Sequence, residues 1–227
     1  MSAVRNILKR ISHPILKRIQ RAYLKKPRNY SYGKSAVTVA PGVFPPFMTL
    51  STKILLDYLE QIDITGKTLL ELGCGSGIIS VRSAARGAKV TATDVNPAAL
   101  QMLRQNSMAS AIEVLESDLF DSLGGCKFDF VIINPPYYPR DPKTVEEKAW
   151  FCGSDFGYFK KLFPQLRAFA DAQILMILSE DCDIGTICEL ARQNLLQMRE
   201  VHRCKRAGEQ NYIFKIDASS PGCAIPS

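Results

Sequence analysis

Short apolar runs alternate with segments of helical periodicity over most of this chain. The runs are bounded by polar and turn-forming residues and are typical of buried β-strands, whereas the segments between them repeat apolar residues every three or four positions. This alternation predicts an α/β fold with a doubly wound, mostly parallel, seven-stranded sheet and helices on both faces. The predicted strands are 68–72, 89–93, 112–116, 128–133 and 174–178, and the predicted helices are 78–86, 97–109, 156–170 and 184–198.

The C-terminal end departs from this alternation. Two strand-like segments, 200–205 and 211–216, follow each other with no helix between them, which predicts an antiparallel hairpin at one side of the sheet. Residues 218–227 contain Ser, Pro and Gly without an apolar period and are predicted to form a loose tail. Pro164 is expected to kink or split the helix at 156–170, because proline removes an N–H from the helical ladder.

The N-terminal end is strongly basic. Residues 1–56 hold 11 Lys and Arg and no Asp or Glu, whereas the remainder holds 18 bases and 22 acids. Such an arm is compatible with contact to RNA or the ribosome, with an amphipathic cap packed on the domain, and with a membrane-surface helix or targeting segment. Pro14 divides its helical pattern into two predicted short helices. The apolar residues of that pattern are Ile7, Ile11, Ile15, Ile19 and Tyr23.

A connector joins the arm to the α/β region. Residues 29–52 include Pro41-Gly42 and Pro45-Pro46, which exclude a regular helix there. Ser51 or Thr52 is predicted to be the N-cap of the helix that follows. These observations predict three parts: an arm and connector at 1–50, the α/β domain at 51–217, and the tail.

The composition narrows the class of protein. Hydrophobic residues make up 46% of the chain and charged residues 22%, as in globular proteins, and no apolar run approaches the roughly 20 residues of a membrane helix. Seven cysteines are scattered without a C-x-x-C pair, which argues against a disulfide framework and a structural zinc site. We therefore expect free thiols, no bound metal and a reducing, cytoplasmic location. The sequence does not indicate an oligomeric state.

A glycine-rich turn follows the first predicted strand and leads directly into a helix. Its residues have the spacing G-x-G-x-G, whereas dinucleotide pyrophosphate sites use G-x-G-x-x-G. Glycines at such a turn allow the backbone to bend and a ligand to approach closely. A nucleoside ligand without a pyrophosphate is therefore favoured over a nicotinamide cofactor. The residues of this motif are Glu71, Gly73, Gly75 and Gly77.

Two carboxylates follow the next two strands. Asp94 is placed to accept hydrogen bonds from the two hydroxyls of a ribose, with the N-cap of the following helix as its structural alternative. Asp118 follows the third strand and is placed to accept from an adenine amino group, while Leu119 packs against the ring. Because the carboxyl ends of parallel strands meet at one edge of a sheet, these side chains are expected to share a site.

The most specific motif follows the fourth strand and reads Asn134, Pro135, Pro136 and Tyr137. The prolines fix the backbone and lack N–H groups, so the carbonyl of Pro135 is available as an acceptor beside the side-chain oxygen of Asn134. Two acceptors at this spacing can hold the two hydrogens of a planar –NH2 group, and Tyr137 can stack on the flat substrate. The alternative is a loop that the prolines merely stiffen.

These four motifs, in this order, resemble those of class I S-adenosylmethionine-dependent methyltransferases of the N-P-P-Y type, the small-domain and release-factor glutamine methyltransferase-like group. The resemblance covers roughly residues 51–217 and implies S-adenosylmethionine as cofactor. It further implies that residues 146–153 are similar to the lid of these enzymes. The implied cofactor contacts are Glu71, Gly73, Gly75 and Gly77 at the methionine side, Asp94 at the ribose, Asp118 and Leu119 at the adenine, and Asn134 at the reacting end, while Asn134, Pro135, Pro136 and Tyr137 hold the target amine.

Several functions stay open at this point. An N-methyltransferase acting on a protein glutamine side chain is favoured slightly over one acting on the exocyclic amine of adenine or guanine in ribosomal RNA, transfer RNA or DNA. A non-catalytic cofactor-binding scaffold is a further alternative. No general base is expected, because the two acceptors stabilise the charge that builds on the nitrogen, and the only histidines are His13 and His202.

Overall fold

The computed structural model describes residues 25–47, 49–106 and 108–219. The predicted helices of the basic arm and most of the predicted tail lie outside these residues. The elements of the described residues, in chain order, are β1 Arg28–Tyr32, β2 Ser35–Val39, α1 Ser51–Leu59, β3 Thr68–Leu72, α2 Ile78–Ala85, β4 Lys89–Asp94, α3 Pro97–Arg104, β5 Ile112–Glu116, β6 Phe130–Ile133, α4 Gly157–Leu166, β7 Gln173–Ser179, α5 Ile184–Gln193, β8 Leu196–Arg206 and β9 Glu209–Ala218.

A seven-stranded sheet forms the centre of the protein, in the order β5-β4-β3-β6-β7-β9-β8. The five strands from β5 to β7 are parallel, whereas β9 pairs antiparallel with both β7 and β8. The doubly wound sheet and the terminal hairpin predicted from the sequence are therefore confirmed. The chain proceeds from β3 toward β5 on one side and from β6 toward β8 on the other, so the topological switch point lies between β3 and β6.

The register of the strands brings the motifs together. Leu72 at the end of β3 pairs with Thr93 of β4 and with Ile133 of β6, while Asp94 pairs with Glu116 of β5. The residues that follow these strands therefore leave the sheet at the same edge. This is the edge at which open α/β sheets bind their ligands.

Side chains on the two faces of the sheet contribute to two separate cores. In β3, Leu69 packs on the face covered by α1, α2 and α3, whereas Leu70 and Leu72 pack on the face covered by α4 and α5. The alternation follows from the two-residue period of a strand. It also directs Glu71 to the same face as Leu69, toward α2.

Part of the predicted connector is a β-hairpin that the sequence did not predict. β1 and β2 pair antiparallel around Gly33, whose φ is +56°. Val37, Val39 and Val43 are buried in the core beside α2 and α3. The hairpin is thus packed onto the α/β layer, and the limits predicted for the domain at 51 and 217 stay predictions.

Several predicted boundaries differ from those in the structure. The N-cap of α1 is Leu50, which makes no side-chain capping bond, instead of Ser51 or Thr52. The strand predicted at 128–133 begins at Phe130. The helix predicted at 97–109 ends at Arg104. β9 extends one residue into the predicted tail, to Ala218.

The largest boundary errors follow two helices. The helix predicted at 184–198 ends at Gln193, and β8 begins at Leu196, because Leu195 adopts a φ of +58° and turns the chain into the sheet. Pro164 lies inside α4, which ends two residues later at Leu166 and is followed by a short 3-10 turn. The helix predicted at 156–170 is thus shorter than expected, and it is not split at Pro164.

Candidate functional site

A cavity of about 430 Å³ opens at the carboxyl ends of β3, β4, β5 and β6. Its volume lies within the range of small-molecule sites, roughly 300–1,000 Å³. The structure brings nearly all of the predicted site residues to this cavity, and Gly77 is the exception. The predicted residues that line it are Glu71, Gly73, Gly75, Asp94, Asp118, Leu119, Asn134, Pro135, Pro136 and Tyr137.

The glycine-rich turn forms one wall of the cavity. Gly73 has a φ of +72°, and a Cβ atom there would meet no protein atom within 4 Å, so its surface faces open space. Gly75 has a φ of +50° and lies close to Phe44, which a Cβ would approach to 3.3 Å. The turn is closed by the N–H of Cys74, which donates to the carbonyl of Thr93 at 2.8 Å. This backbone leaves room for a ligand at Gly73 that a side chain would fill.

Gly77 has a different place from the one predicted. It is buried behind the turn as the N-cap of α2, with a φ of +72°. A Cβ there would lie 2.7 Å from Cδ1 of Leu103 in α3. Glycine is required because α2 and α3 pack closely at this point. Gly77 therefore allows the two helices to pack and does not line the cavity.

Glu71 is a buried carboxyl group at the cavity floor, with 5% of its surface exposed. The backbone N–H of Ser80 donates to its Oε2 at 2.8 Å, and the hydroxyl of Ser80 donates to the same oxygen. Burial raises the pKa of Glu71 to about 8, and the nearby charge of Asp94 adds to the rise. Glu71 is therefore largely neutral at pH 7 until a cation binds beside it.

Asp94 ends β4 and joins two neighbouring segments. Its Oδ2 accepts from the N–H of Gly75 at 2.8 Å, and its Oδ1 accepts from the N–H of Asn96 at 2.8 Å. The cap of α3 is Asn96, whose side chain accepts from Ala98, so the N-cap alternative for Asp94 is wrong. Burial raises the pKa of Asp94. Each carboxylate oxygen can accept a further bond from a ligand.

The loop after β5 presents Asp118 and Leu119. The hydroxyl of Ser117 donates to the carbonyl of Leu119 at 2.8 Å, and Leu119 has a φ of +57°. Positive φ at a leucine is strained and typical of functional sites. Lys161 of α4 forms an ion pair with Asp118 at 2.9 Å and with Asp121 at 2.7 Å, and it also lines the cavity.

The Asn-Pro-Pro-Tyr segment follows β6 directly and lies outside the helices and strands. Pro135 and Pro136 are buried, and Asn134 is half-buried. The side-chain Nδ2 of Asn134 donates to the hydroxyl oxygen of Thr52 at 3.2 Å. The ring of Tyr137 lies 4.9 Å from that of Tyr138, and burial raises the pKa of Tyr137.

The segment predicted to be a lid lies over the cavity. Residues 150–152 of this segment form a short parallel bridge with Tyr138, which lies before it in the chain. The N–H of Tyr138 donates to the carbonyl of Trp150 at 3.1 Å, and the N–H of Cys152 donates to the carbonyl of Tyr138 at 3.0 Å. A single 3-10 turn, Glu146–Ala149, precedes the bridge. The ring of Trp150 packs against Phe44 from the connector, with ring centres 4.9 Å apart.

Sequence reasoning missed several residues of the site, and three of them make contacts described above. Phe44 and Thr52 come from the connector and the start of α1, and Lys161 comes from α4. The only signal for Phe44 is an apolar residue inside a proline-rich connector, and the only signal for Thr52 is its capping residue type. Nothing in the pattern around Lys161 distinguishes it from a surface lysine.

The cavity carries more acidic than basic side chains. Its lining holds two lysines, Lys148 and Lys161, and five acids. An excess of acidic over basic side chains favours a cationic ligand, because it gives the walls a negative potential. The five acids are Glu71, Asp94, Asp118, Asp141 and Asp155.

The described residues contain no group of three or more His, Cys, Asp or Glu placed to hold a metal ion. The six cysteines within the described part of the chain are free thiols. In that same part, no helix combines the length and the hydropathy needed to cross a bilayer.

Comparison with known proteins gives curated relatives of two kinds. A protein of Methanocaldococcus jannaschii named "Putative protein N5-glutamine methyltransferase" is 40% identical over 81 residues, which are 34% of this chain and 41% of that protein. Ribosomal RNA small subunit methyltransferase C of Haemophilus influenzae is 37% identical over 103 residues, 43% of this chain and 30% of the relative. The chain spans less than half the length of each of these relatives.

Solved structures share the fold at low identity. The Mtq2–Trm112 complex of E. cuniculi superposes with a TM-score of 0.58 at 21% identity, covering 78% of this chain and 99% of that one. The 16S rRNA N2 G1207 methyltransferase of T. thermophilus superposes with a TM-score of 0.57 at 18% identity, covering 84% of this chain and 50% of that one. The family model described as methyltransferase small domain matches residues 34–150, which is more than half of the sequence. The chain therefore belongs to the methyltransferase small domain family.

Proposed function

We propose that this protein is an S-adenosylmethionine-dependent N-methyltransferase that modifies a planar amide or amino nitrogen, with a protein glutamine side chain as the favoured substrate. One observation carries the proposal. The Asn134–Tyr137 segment and the glycine-rich turn, 60 positions apart in the sequence, line the same cavity. A cofactor turn and a pair of acceptors for an –NH2 group then open onto one cavity.

The cavity fits S-adenosylmethionine in shape and charge. The open surface of Gly73 suits a ligand that approaches the backbone, and the excess of carboxyl groups suits a sulfonium cation. In the proposed arrangement Glu71 lies at the methionine side, Asp94 binds the ribose hydroxyls, and Asp118 and Leu119 hold the adenine. When bound, the cofactor supplies an electrophilic methyl group.

The protein's own part in the reaction is to position the nitrogen and stabilise its charge. Asn134 Oδ1 and the carbonyl of Pro135 accept the two hydrogens of the substrate amine, and Tyr137 stacks on its plane. This arrangement would favour a pyramidal nitrogen whose lone pair takes the methyl group, while the sulfur keeps the electrons of the S–CH3 bond. It would stabilise the positive charge that develops until the nitrogen loses a proton to solvent. None of the described residues that line the cavity is a histidine, so the proposal uses no general base.

The negative charges near Tyr137 and Tyr138 favour a protein substrate over a nucleic-acid substrate. Burial raises the pKa of Tyr138, and the negative charges of Asp181 and Glu209 raise it further. Glu209 also contributes to the raised pKa of Tyr137, after burial and Tyr138. A phosphate backbone is repelled by acids in this position, whereas a polypeptide carrying a glutamine is not. The Methanocaldococcus relative supports the same choice.

A second candidate substrate is the exocyclic amine of adenine or guanine in RNA. The Haemophilus relative favours it, because its printed name is that of a ribosomal RNA methyltransferase. The basic residues of the N-terminal arm favour contact with RNA or the ribosome, although residues 1–24 of this arm lie outside the described part of the chain. Under either substrate the cytoplasm is the proposed location, because free thiols suit a reducing compartment.

The substrate class is tested by transfer of a tritiated methyl group into extracts of cells that lack the protein. Protein and total RNA fractions are incubated separately with the enzyme and labelled S-adenosylmethionine, and label is followed through protease or ribonuclease digestion. Label in N5-methylglutamine after exhaustive protease digestion, released as methylamine on acid hydrolysis, supports the favoured substrate. Label confined to methylated adenine or guanine contradicts it and supports the second candidate.

A further inference from the structure

The side-chain amide of Asn134 has two chemically different ends, and one of them is held by the protein. Its Nδ2 donates to Oγ1 of Thr52 at 3.2 Å across 82 positions of sequence. Thr52 is only 4% exposed and lies in the first turn of α1. Both side chains line the cavity. The bond therefore joins the helix at the start of the α/β layer to the segment that is proposed to hold the substrate amine.

The orientation of the Asn134 amide matters because its two ends differ chemically. The nitrogen end of an asparagine side chain can only donate, and the oxygen end can only accept. If the group were turned by half a rotation, Nδ2 would face the hydrogens of the substrate amine, and two donors would oppose each other. A threonine hydroxyl can donate as well as accept, and in the structure it accepts from Nδ2, which leaves the oxygen end for the substrate.

We propose that Thr52 is a positioning residue, which fixes the Asn134 amide so that Oδ1 accepts a hydrogen bond from the substrate nitrogen. This inference rests on the proposed function, because it assigns Asn134 to the target amine. It adds a residue from outside the motif, whose effect on the reaction is exerted through Asn134.

The surroundings of Thr52 hold its hydroxyl in place. The following residues of α1, Ile54, Leu55 and Leu56, have 1% of their surface or less exposed. The N–H of Ile54 donates to the carbonyl of Leu50 at 3.0 Å, so the first turn of the helix is formed. A hydroxyl on such a fixed helix restrains its partner far more than one on a mobile surface side chain does, because little entropy is left to lose on forming the bond.

Two variants of the full-length protein separate positioning from packing. Thr52→Val keeps the shape of the side chain and removes the acceptor, whereas Thr52→Ser keeps the acceptor. The activity assay uses saturating S-adenosylmethionine and, as substrate, the fraction that accepts the methyl group in the experiment above. In this assay Thr52→Val is expected to lower kcat by about 10- to 100-fold. Its affinity for S-adenosylhomocysteine, measured by calorimetry, is expected to change by less than about threefold, and Thr52→Ser is expected to keep kcat within a similar factor.

A spectroscopic readout needs no methyl acceptor. The side-chain –NH2 signals of Asn134, identified by their loss in Asn134→Ala, are followed in the ¹⁵N spectrum of the S-adenosylhomocysteine complex. Thr52→Val is expected to move these signals, and Thr52→Ser to leave them in place. Thr52→Ala provides the same comparison if the valine variant does not fold.

The proposal is overturned by unchanged Asn134 signals in the valine variant, or by a wild-type kcat. It is also overturned if S-adenosylhomocysteine affinity falls in step with kcat, since Thr52 would then bind the cofactor. Absence of any methyl acceptor for the wild-type enzyme contradicts the proposed function alone, because the spectrum still reports whether Thr52 orients Asn134.

Discussion

The carboxylate of Asp94 accepts a hydrogen bond from the backbone N–H of Gly75 at 2.8 Å. The bond ties the end of β4 to the glycine-rich turn that follows β3. One side chain thereby shapes the turn and remains able to accept bonds from a ligand on its other lone pairs. The account predicts that this residue is central to cofactor binding.

Replacing Asp94 by Ala is expected to weaken S-adenosylmethionine binding by about 10- to 100-fold, corresponding to the roughly 1–3 kcal/mol cost of leaving a buried polar group unpaired. Calorimetry on the folded variant measures the loss, and thermal melting checks the fold. Asn96→Ser, which keeps a capping side chain at the start of α3, serves as control. An Asp94→Ala protein with wild-type affinity would remove Asp94 from the ribose site.

Glu71 predicts a specific pH dependence of stability. Burial raises its pKa to about 8 in the folded protein from an ordinary value of 4.5. The folded state therefore keeps a proton that the unfolded state releases, so the stability contributed by neutral Glu71 is complete below about pH 4.5 and is lost as the pH rises through 8. Glu71→Gln keeps an acceptor for Ser80 and cannot ionise.

Between about pH 4.5 and pH 8, the free energy of unfolding of the wild-type protein is thus expected to fall relative to that of Glu71→Gln, by at most about 1.4 kcal/mol per pH unit. Urea unfolding at several pH values measures the difference. Glu116→Gln, at an exposed position in β5, is the matched control. Parallel pH curves for wild type and Glu71→Gln would show that Glu71 ionises normally in the fold.

Gly77 and Gly66 form a matched pair that separates close packing from backbone strain. Their φ angles are +72° and +71°, but a Cβ at Gly77 meets Leu103 at 2.7 Å, whereas a Cβ at Gly66 meets nothing within 4 Å. Both alanine variants incur the strain of positive φ, so Gly77→Ala is expected to be less stable than Gly66→Ala by about 1–3 kcal/mol from overpacking. Chemical denaturation compares them, and equal losses would refute the packing role.

The contact between Phe44 and Trp150 predicts a fluorescence signal for the lid. Trp150 is the only tryptophan of the chain and lines the cavity. Cofactor binding is therefore expected to change the emission of Trp150. Phe44→Ala removes the ring that packs against Trp150, and a loss of about 1.4 kcal/mol of binding free energy is expected to raise the cofactor dissociation rate by about tenfold. Phe44→Leu preserves most of the apolar contact and is the control. A stopped-flow trace that is identical for Phe44→Ala and wild type would show that this contact does not retain the cofactor.

Much of the site could be predicted because its motifs are local in sequence. Gly73 and Asn134 directly follow a strand, Asp94 ends one, and Asp118 lies two residues after one. A parallel sheet necessarily brings such positions to one edge. The role of each of these residues can also be inferred from its residue type alone. The doubly wound sheet follows from the same alternation of strands and helices.

The parts that could not be predicted depend on tertiary contacts. Thr52 meets Asn134, and Phe44 meets Trp150, only after the connector has folded onto the sheet. The displaced end of the helix before β8 depends on Leu195, whose positive φ no residue-type rule anticipates. Gly77 belongs to the motif by spacing, yet its neighbour Leu103 is known only from the packing of two helices.

The most direct test of the central claim is turnover by Asn134→Ala at saturating S-adenosylmethionine. The account predicts that methyl transfer falls by on the order of 100-fold or more, because one preorganised acceptor for the reacting nitrogen is lost. Cofactor affinity stays near that of the wild type. A variant that keeps wild-type turnover, or that loses cofactor binding while its turnover at saturation persists, would contradict the assignment of Asn134 to the substrate amine.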